Sequence, residues 1–215
     1  MKLPQNKPEK RQASLDVVLL YGTPYSGKTT LASKVAPGKT LIVSTDGNYK
    51  HLDTPAVRVT NAEEFGEVYN LLKTDKEYDV VIFDLIEDVF QFARRFVLDV
   101  ANLEFEGDAK DMGRTWNIVN TKVENVVKDI VALDKKIIFL SHAISITKAD
   151  KFGREVTTTQ PSIKEKWFNI LASRCQLCME VVKDSDGRKV TTLDRDRLNF
   201  VLKDQYTPEE ALKLL

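Results

Sequence analysis

The sequence is poor in the features that mark secreted, membrane-spanning or nucleic-acid-coating proteins. It has two cysteines, Cys175 and Cys178, too few for a disulfide framework. No apolar run approaches the roughly 18 residues needed to cross a bilayer. The opening residues, MKLPQNKPEKRQAS, lack the apolar middle of a signal peptide. An intracellular, cytoplasmic chain with no membrane partner is the expectation. Excess charge is missing too, since 32 Lys and Arg balance 32 Asp and Glu. That excludes a generally basic nucleic-acid coat but leaves room for a local basic patch. Histidine is scarce, with only His51 and His142. Cys175-x-x-Cys178 has no second ligand pair, so a structural zinc is not expected and both cysteines read as core.

The 215 residues suffice for one domain with its own core. Residues 1–14 carry Lys2, Lys7, Lys10 and Arg11 against Glu9 and contain two prolines. They read as a flexible basic arm, solvated or touching phosphate. The main domain is expected over 15–205. A short helix or tail follows over 206–215, opening at Thr207-Pro208-Glu209-Glu210.

Within the domain, short apolar runs alternate with helical patterns. The runs cover 16–21, 40–44, 78–84, 136–142 and 176–182. They are rich in Val and Ile and apolar at both odd and even positions, as strands buried on both faces are. Thr60 and Glu63 suggest a capping box before a helix. Ile118, Val119, Val123, Val126, Val127, Ile130 and Val131 form a helical stripe. Trp116 and Trp167 sit on helix-like patterns and read as packing residues. The acidic stretch Asp99–Arg114 reads as a solvated excursion, with a lid or a subunit contact as the alternatives. Two hairpins are expected, one around 149–154 and one at Ser185-Asp186-Gly187. The fold class is therefore α/β: a three-layer sandwich on a mainly parallel sheet, with β-hairpins near the C-terminus.

The chemistry begins at Gly22-Thr23-Pro24-Tyr25-Ser26-Gly27-Lys28-Thr29, followed by Thr30. This fits G-x-x-x-x-G-K-[ST] at every fixed position, after a predicted strand and before a predicted helix. Such a loop turns successive backbone N–H groups toward phosphate oxygens. Lys28 would reach the β- and γ-phosphates, and the Thr29 hydroxyl would ligate Mg²⁺. Asp84 ends the apolar strand Val80-Val81-Ile82-Phe83 and is the second candidate for holding the metal. ATP and Mg²⁺ are thus the expected ligands.

Two further strands end in polar groups, Ser44-Thr45-Asp46-Gly47 and Ser141-His142. With these in place the sequence resembles the RecA-like branch of P-loop ATPases over roughly residues 15–200. The resemblance implies the strand order 5-1-4-3-2. It also implies that Asp46 is the general base and His142 the sensor of the terminal phosphate. RecA-like proteins usually carry Glu where this chain has Asp46, so Glu87 or Asp88 is an alternative base. An Asx turn is the plainer reading of Asp46-Gly47, and a hydrogen-bonded strand end that of His142. The segments GTPYSGKTT and IIFLSH and the helix of Trp116 look most like the small phage-type RecA-like ATPases of single-strand annealing and recombination.

In that family the segment after the sensor strand binds DNA. Here it is Ala143–Pro161, with Lys148, Lys151 and Arg154, the aromatic Phe152 and four threonines. The cations would meet phosphates and Phe152 would stack on a base; an ordinary exposed hairpin is the other reading. RecA-like assemblies also complete the site with a basic residue from a neighbouring subunit, which implies a homo-oligomer. Arg188, Arg195 and Arg197 are candidates. The function the resemblance implies is an ATP-binding, ATP-hydrolysing protein acting on single-stranded DNA in recombination, annealing or replication, with a phage as its setting. Two rivals stand beside it. One is a small-molecule kinase with Arg94-Arg95 in a lid; the other is a nucleotide-gated interaction protein with little turnover. Thr147-Lys148-Ala149-Asp150 mimics a guanine-reading motif but lies too far past the apolar strand to serve as one.

Overall fold

A computed structural model describes residues 15–149, 151–185, 187–192 and 204–215. The basic arm, Arg195 and Arg197 lie outside the described residues.

The apolar runs form the sheet. β1 (Val17–Gly22), β2 (Thr40–Ser44), β3 (Ala56–Arg58), β4 (Val80–Asp84), β5 (Lys136–Ala149) and β7 (Leu177–Asp184) are arranged β3-β2-β4-β5-β1-β7, all parallel. Apart from β3, a short edge strand without a sequence signal of its own, this is the 5-1-4-3-2 order. Two antiparallel strands, β8 (Gly187–Thr192) and β9 (Gln205–Tyr206), extend the sheet beyond β7. β6 (Glu155–Pro161) pairs antiparallel with the distal half of β5.

The period of two along each strand splits its side chains between two cores. Leu19, Phe83, Ile137 and Phe139 face one side. They meet α2 (Ala62–Leu72), α3 (Ile86–Val100), α4 (Arg114–Val131) and α5 (Glu165–Ala172). Leu20, Ile82, Ile138 and Leu140 face the other side, covered by α1 (Lys28–Ala32) and α6 (Pro208–Leu214). Phe65, Phe83 and Phe139 pack as tilted ring pairs across the first core, with centroids 6.0 and 5.9 Å apart. No helix among the described residues is long and apolar enough to cross a membrane.

Three local expectations are corrected. The N-cap of α2 is Asn61, whose side chain accepts from the Glu64 backbone N–H. Glu64 rather than Glu63 reaches back, accepting from the Thr60 N–H and hydroxyl. Trp116 is 43% exposed, with the Lys164 ammonium 5.1 Å from its ring centroid. Trp167 does pack, edge-on to Phe90, and its indole N–H donates to Asn120. The acidic stretch before α4 is not wholly solvated, because Glu106 is buried in a fork–fork pair with Arg94 at 2.6 and 2.8 Å. Helix α3 was not anticipated, although Ile86, Val89, Phe90 and Ala93 line its buried face at helical spacing.

Candidate nucleotide-binding site

Strand register assembles the site. β1 ends at Gly22, directly beside His142 of β5. Asp84 ends β4 opposite Ser44 of β2. All four strands point the same way, so their carboxyl ends open on one edge, where ligands bind in open α/β sheets.

The phosphate loop leaves β1 and turns into α1 at Gly27, whose φ of +95° is open to glycine at little cost. The close approach at Gly22 has a different cause. A Cβ there would lie 2.3 Å from the Val181 carbonyl oxygen of β7, so only glycine lets the strands pair this tightly. Lys28 is buried, and its ammonium donates to the carbonyls of Gly22 and Thr23 at 2.9 and 3.1 Å. Burial pulls its pKa below the ordinary lysine value, and the carboxylates of Asp84, Glu87 and Asp46 oppose that shift.

The Thr29 hydroxyl donates to Asp84 Oδ2 at 2.8 Å. The Asp84 carboxyl is pushed up to about 6, mainly by burial and further by Asp46 and Glu87; Thr29 and Lys28 hold it down. A buried carboxylate beside like charges favours a cation. Hydroxyl and carboxylate oxygens side by side are the hard donors that suit Mg²⁺. The residues present therefore fit a magnesium ion, which Thr29 and Asp84 would hold.

A cavity of about 510 Å³ lies above this floor. The loop contributes Pro24, Tyr25, Gly27, Lys28, Thr29 and Thr30 to its lining, and Asp46, Asp84 and His142 join them. Gly22, Thr23 and Ser26 do not line it. The first two hold Lys28 through their carbonyls, and Ser26 is buried. Tyr25 stands 93% exposed at the rim with a left-handed φ of 64°.

Asp46 makes an Asx-type turn, accepting from the Asn48 backbone N–H, the Asn48 amide and the Ser44 hydroxyl at 3.0, 2.6 and 3.2 Å. Its carboxylate nonetheless lines the cavity. Asp88 is taken up by the Thr45 hydroxyl at 2.6 Å. Glu87 Oε1 accepts from the His142 backbone N–H at 2.8 Å and lies 3.4 Å from His142 Nδ1. Glu87 Oε2 is buried and has no hydrogen-bond partner among the described residues. Glu87 therefore contacts His142 and does not line the cavity.

Sequence reasoning missed Asn48, His51 and Lys183 as lining residues, and placed Arg188 among residues to be supplied by a neighbour. In the structure Lys183 and Arg188 line the same cavity within one chain. The hairpin signal at Ser185-Asp186-Gly187 was legible, but its position beside the phosphate loop follows from the pairing of β7 with β1.

Lys148, Lys151, Phe152 and Arg154 lie apart from the cavity. β5 runs on past His142 and pairs with β6, and residues 151–158 at and beyond the turn are exposed. Phe152 is 69% exposed, with the Lys151 ammonium and the Arg154 guanidinium each 5.3 Å from its ring centroid. The base of this hairpin is tied to the site, since the Ser162 N–H donates to the His142 carbonyl at 2.7 Å.

A family model described as an AAA domain (AAA_24) matches residues 16–201, from the first strand to beyond the second hairpin. The chain belongs to this AAA-type family of P-loop ATPases. The matched residues include the phosphate loop that follows β1 and the aspartate that ends β4. Arg94 and Arg95, the only adjacent arginine pair, are both paired on α3's own side of the molecule, with Glu106 and Asp99.

Proposed function

We propose that the protein binds and hydrolyses ATP and couples the nucleotide state to single-stranded DNA, as a RecA-like protein of recombination, annealing or replication. The chain's resemblance to the phage-type proteins suggests the same setting here. The observation that carries the reading is the continuity of β5. One strand presents His142 beside Gly22 at the phosphate loop and then becomes the exposed basic–aromatic hairpin.

In this reading Lys28 and the loop N–H groups neutralise the phosphate chain. Thr29 and Asp84 would hold a magnesium ion, which would supply charge neutralisation at the phosphates. Asp46 orients a water and takes its proton as the oxygen bonds to the γ-phosphorus. The bond to the β–γ bridging oxygen breaks, and ADP and inorganic phosphate leave. His142 faces the same cavity. A shift there is transmitted through its backbone, which Glu87 and Ser162 grip from the two sides. Lys148, Lys151 and Arg154 meet DNA phosphates while Phe152 stacks on a base. A homo-oligomer, ring or filament, would add a neighbour's basic residue, with Arg195 or Arg197 the remaining candidates for that role.

One observation favours a second reading, a nucleotide-gated binder with little turnover. The Asp46 carboxylate is already engaged by Asn48 and Ser44, which weakens it as a base. Single-stranded DNA affinity measured with ATP, with ADP and without nucleotide tests the coupling. Affinity that changes with the nucleotide is expected. Equal affinity in all three states would overturn the DNA assignment while leaving the nucleotide site standing.

A further inference from the structure

We propose that Arg188 is a phosphate-contacting residue of its own subunit's nucleotide site, delivered by the β7–β8 hairpin. The inference rests on the cavity being the nucleotide site. It concerns which cations complete that site and from which chain they come.

The register fixes where the hairpin stands. Glu180 of β7 lies opposite Tyr21 of β1. Lys183 is three residues further along, roughly 10 Å at the usual rise per strand residue, which carries it alongside the phosphate loop. Lys183 and Arg188 are cross-strand partners, so their side chains share one face of the hairpin. That face is turned to the cavity, which both residues line together with Lys28.

Arg188 also lies directly on the loop. A Cβ built on Gly27 would sit 2.7 Å from Arg188 Nε, 3.0 Å from Cζ and 3.2 Å from Cδ. Glycine at this position thus serves twice, for its positive φ and for the guanidinium resting against it. Among the described residues no carboxylate pairs with Arg188. A guanidinium against the phosphate loop, lining one cavity with Lys28 and Lys183, adds positive potential to positive potential. An anion in the cavity relieves that repulsion. The cavity's three Lys and Arg exceed its two Asp, as a site for a polyanion requires. The planar fork of arginine makes paired hydrogen bonds to phosphate, which lysine cannot reproduce. The hairpin belongs to the same sheet as the loop, so this cation needs no neighbouring subunit.

The test is equilibrium binding of Mg·ATP to the full chain by calorimetry, for the natural sequence, Arg188→Ala and Arg188→Lys. Thermal denaturation without nucleotide serves as the folding control. Arg188→Ala is expected to bind at least tenfold more weakly with unchanged melting. Arg188→Lys should fall between. The alanine variant is then mixed with an excess of Lys28→Ala subunits, which carry Arg188 but lack a working loop. No recovery of binding is expected from an arginine acting within its own chain; recovery would show that it acts on a neighbour and overturn the proposal. Binding by Arg188→Ala equal to the natural chain would also overturn it. A natural chain that binds no ATP would refute the nucleotide site itself, a different and distinguishable failure.

Discussion

Asp84→Asn should stabilise the nucleotide-free protein while removing its response to magnesium. Asp84 is 3% exposed, and its carboxyl is pushed from an ordinary 3.8 up to about 6. The folded pKa lies above the unfolded one, so the fold disfavours the ionised form. A shift of about two units corresponds to roughly 2–3 kcal/mol of destabilisation at pH 7. That cost is fully present above pH 6 and fades as the pH falls toward 4, where the group is protonated in the folded chain. Asparagine keeps the shape and can still accept from Thr29, but carries no charge. The variant should therefore melt higher at pH 7, by roughly 2–4 °C per kcal/mol for a chain of this size, and the difference should shrink between pH 6 and pH 4. Magnesium with a non-hydrolysable ATP analogue should raise the melting temperature of the natural chain and not that of the variant. The assay is thermal denaturation across that pH range, with and without the ligands. An Asn variant less stable at pH 7, or a gain that does not vary with pH, would refute the reasoning.

Glu106→Ala should lose about 3 kcal/mol in urea denaturation, because it leaves the Arg94 guanidinium without its buried partner. Phe152→Ala should weaken single-stranded DNA binding by about 1–3 kcal/mol, read by fluorescence anisotropy, and leave DNA-independent ATP turnover unchanged. Asp46→Asn should abolish hydrolysis in a steady-state assay while ATP still binds, since the amide keeps a turn with Asn48 but cannot take a proton.

The parallel sheet was legible because strands buried on both faces are apolar at odd and even positions alike. Leu19 and Leu20, one facing each core, show why. The phosphate loop was legible because its glycines and Lys28 are demanded by chemistry at fixed spacing. Helix α3 shows a signal left unused, for Ile86, Val89, Phe90 and Ala93 carry the helical period plainly. Glu106 was less accessible. Five acidic residues in a stretch suggest solvent, and only the tertiary position of Arg94 makes one of them a buried partner. The same holds for Arg188. Its sequence position beyond the last apolar strand says nothing of the phosphate loop, which it meets only because β7 pairs with β1. Asp46 shows both of its sequence readings at once, an Asx turn whose carboxylate also lines the cavity.

The most direct measurement is ATP hydrolysis with and without single-stranded DNA, with Lys28→Ala as the blank. Hydrolysis that DNA stimulates and that disappears in Lys28→Ala is the expected result. Hydrolysis that persists in Lys28→Ala would contradict the assignment of the phosphate loop, and hydrolysis indifferent to DNA would contradict the coupling through β5.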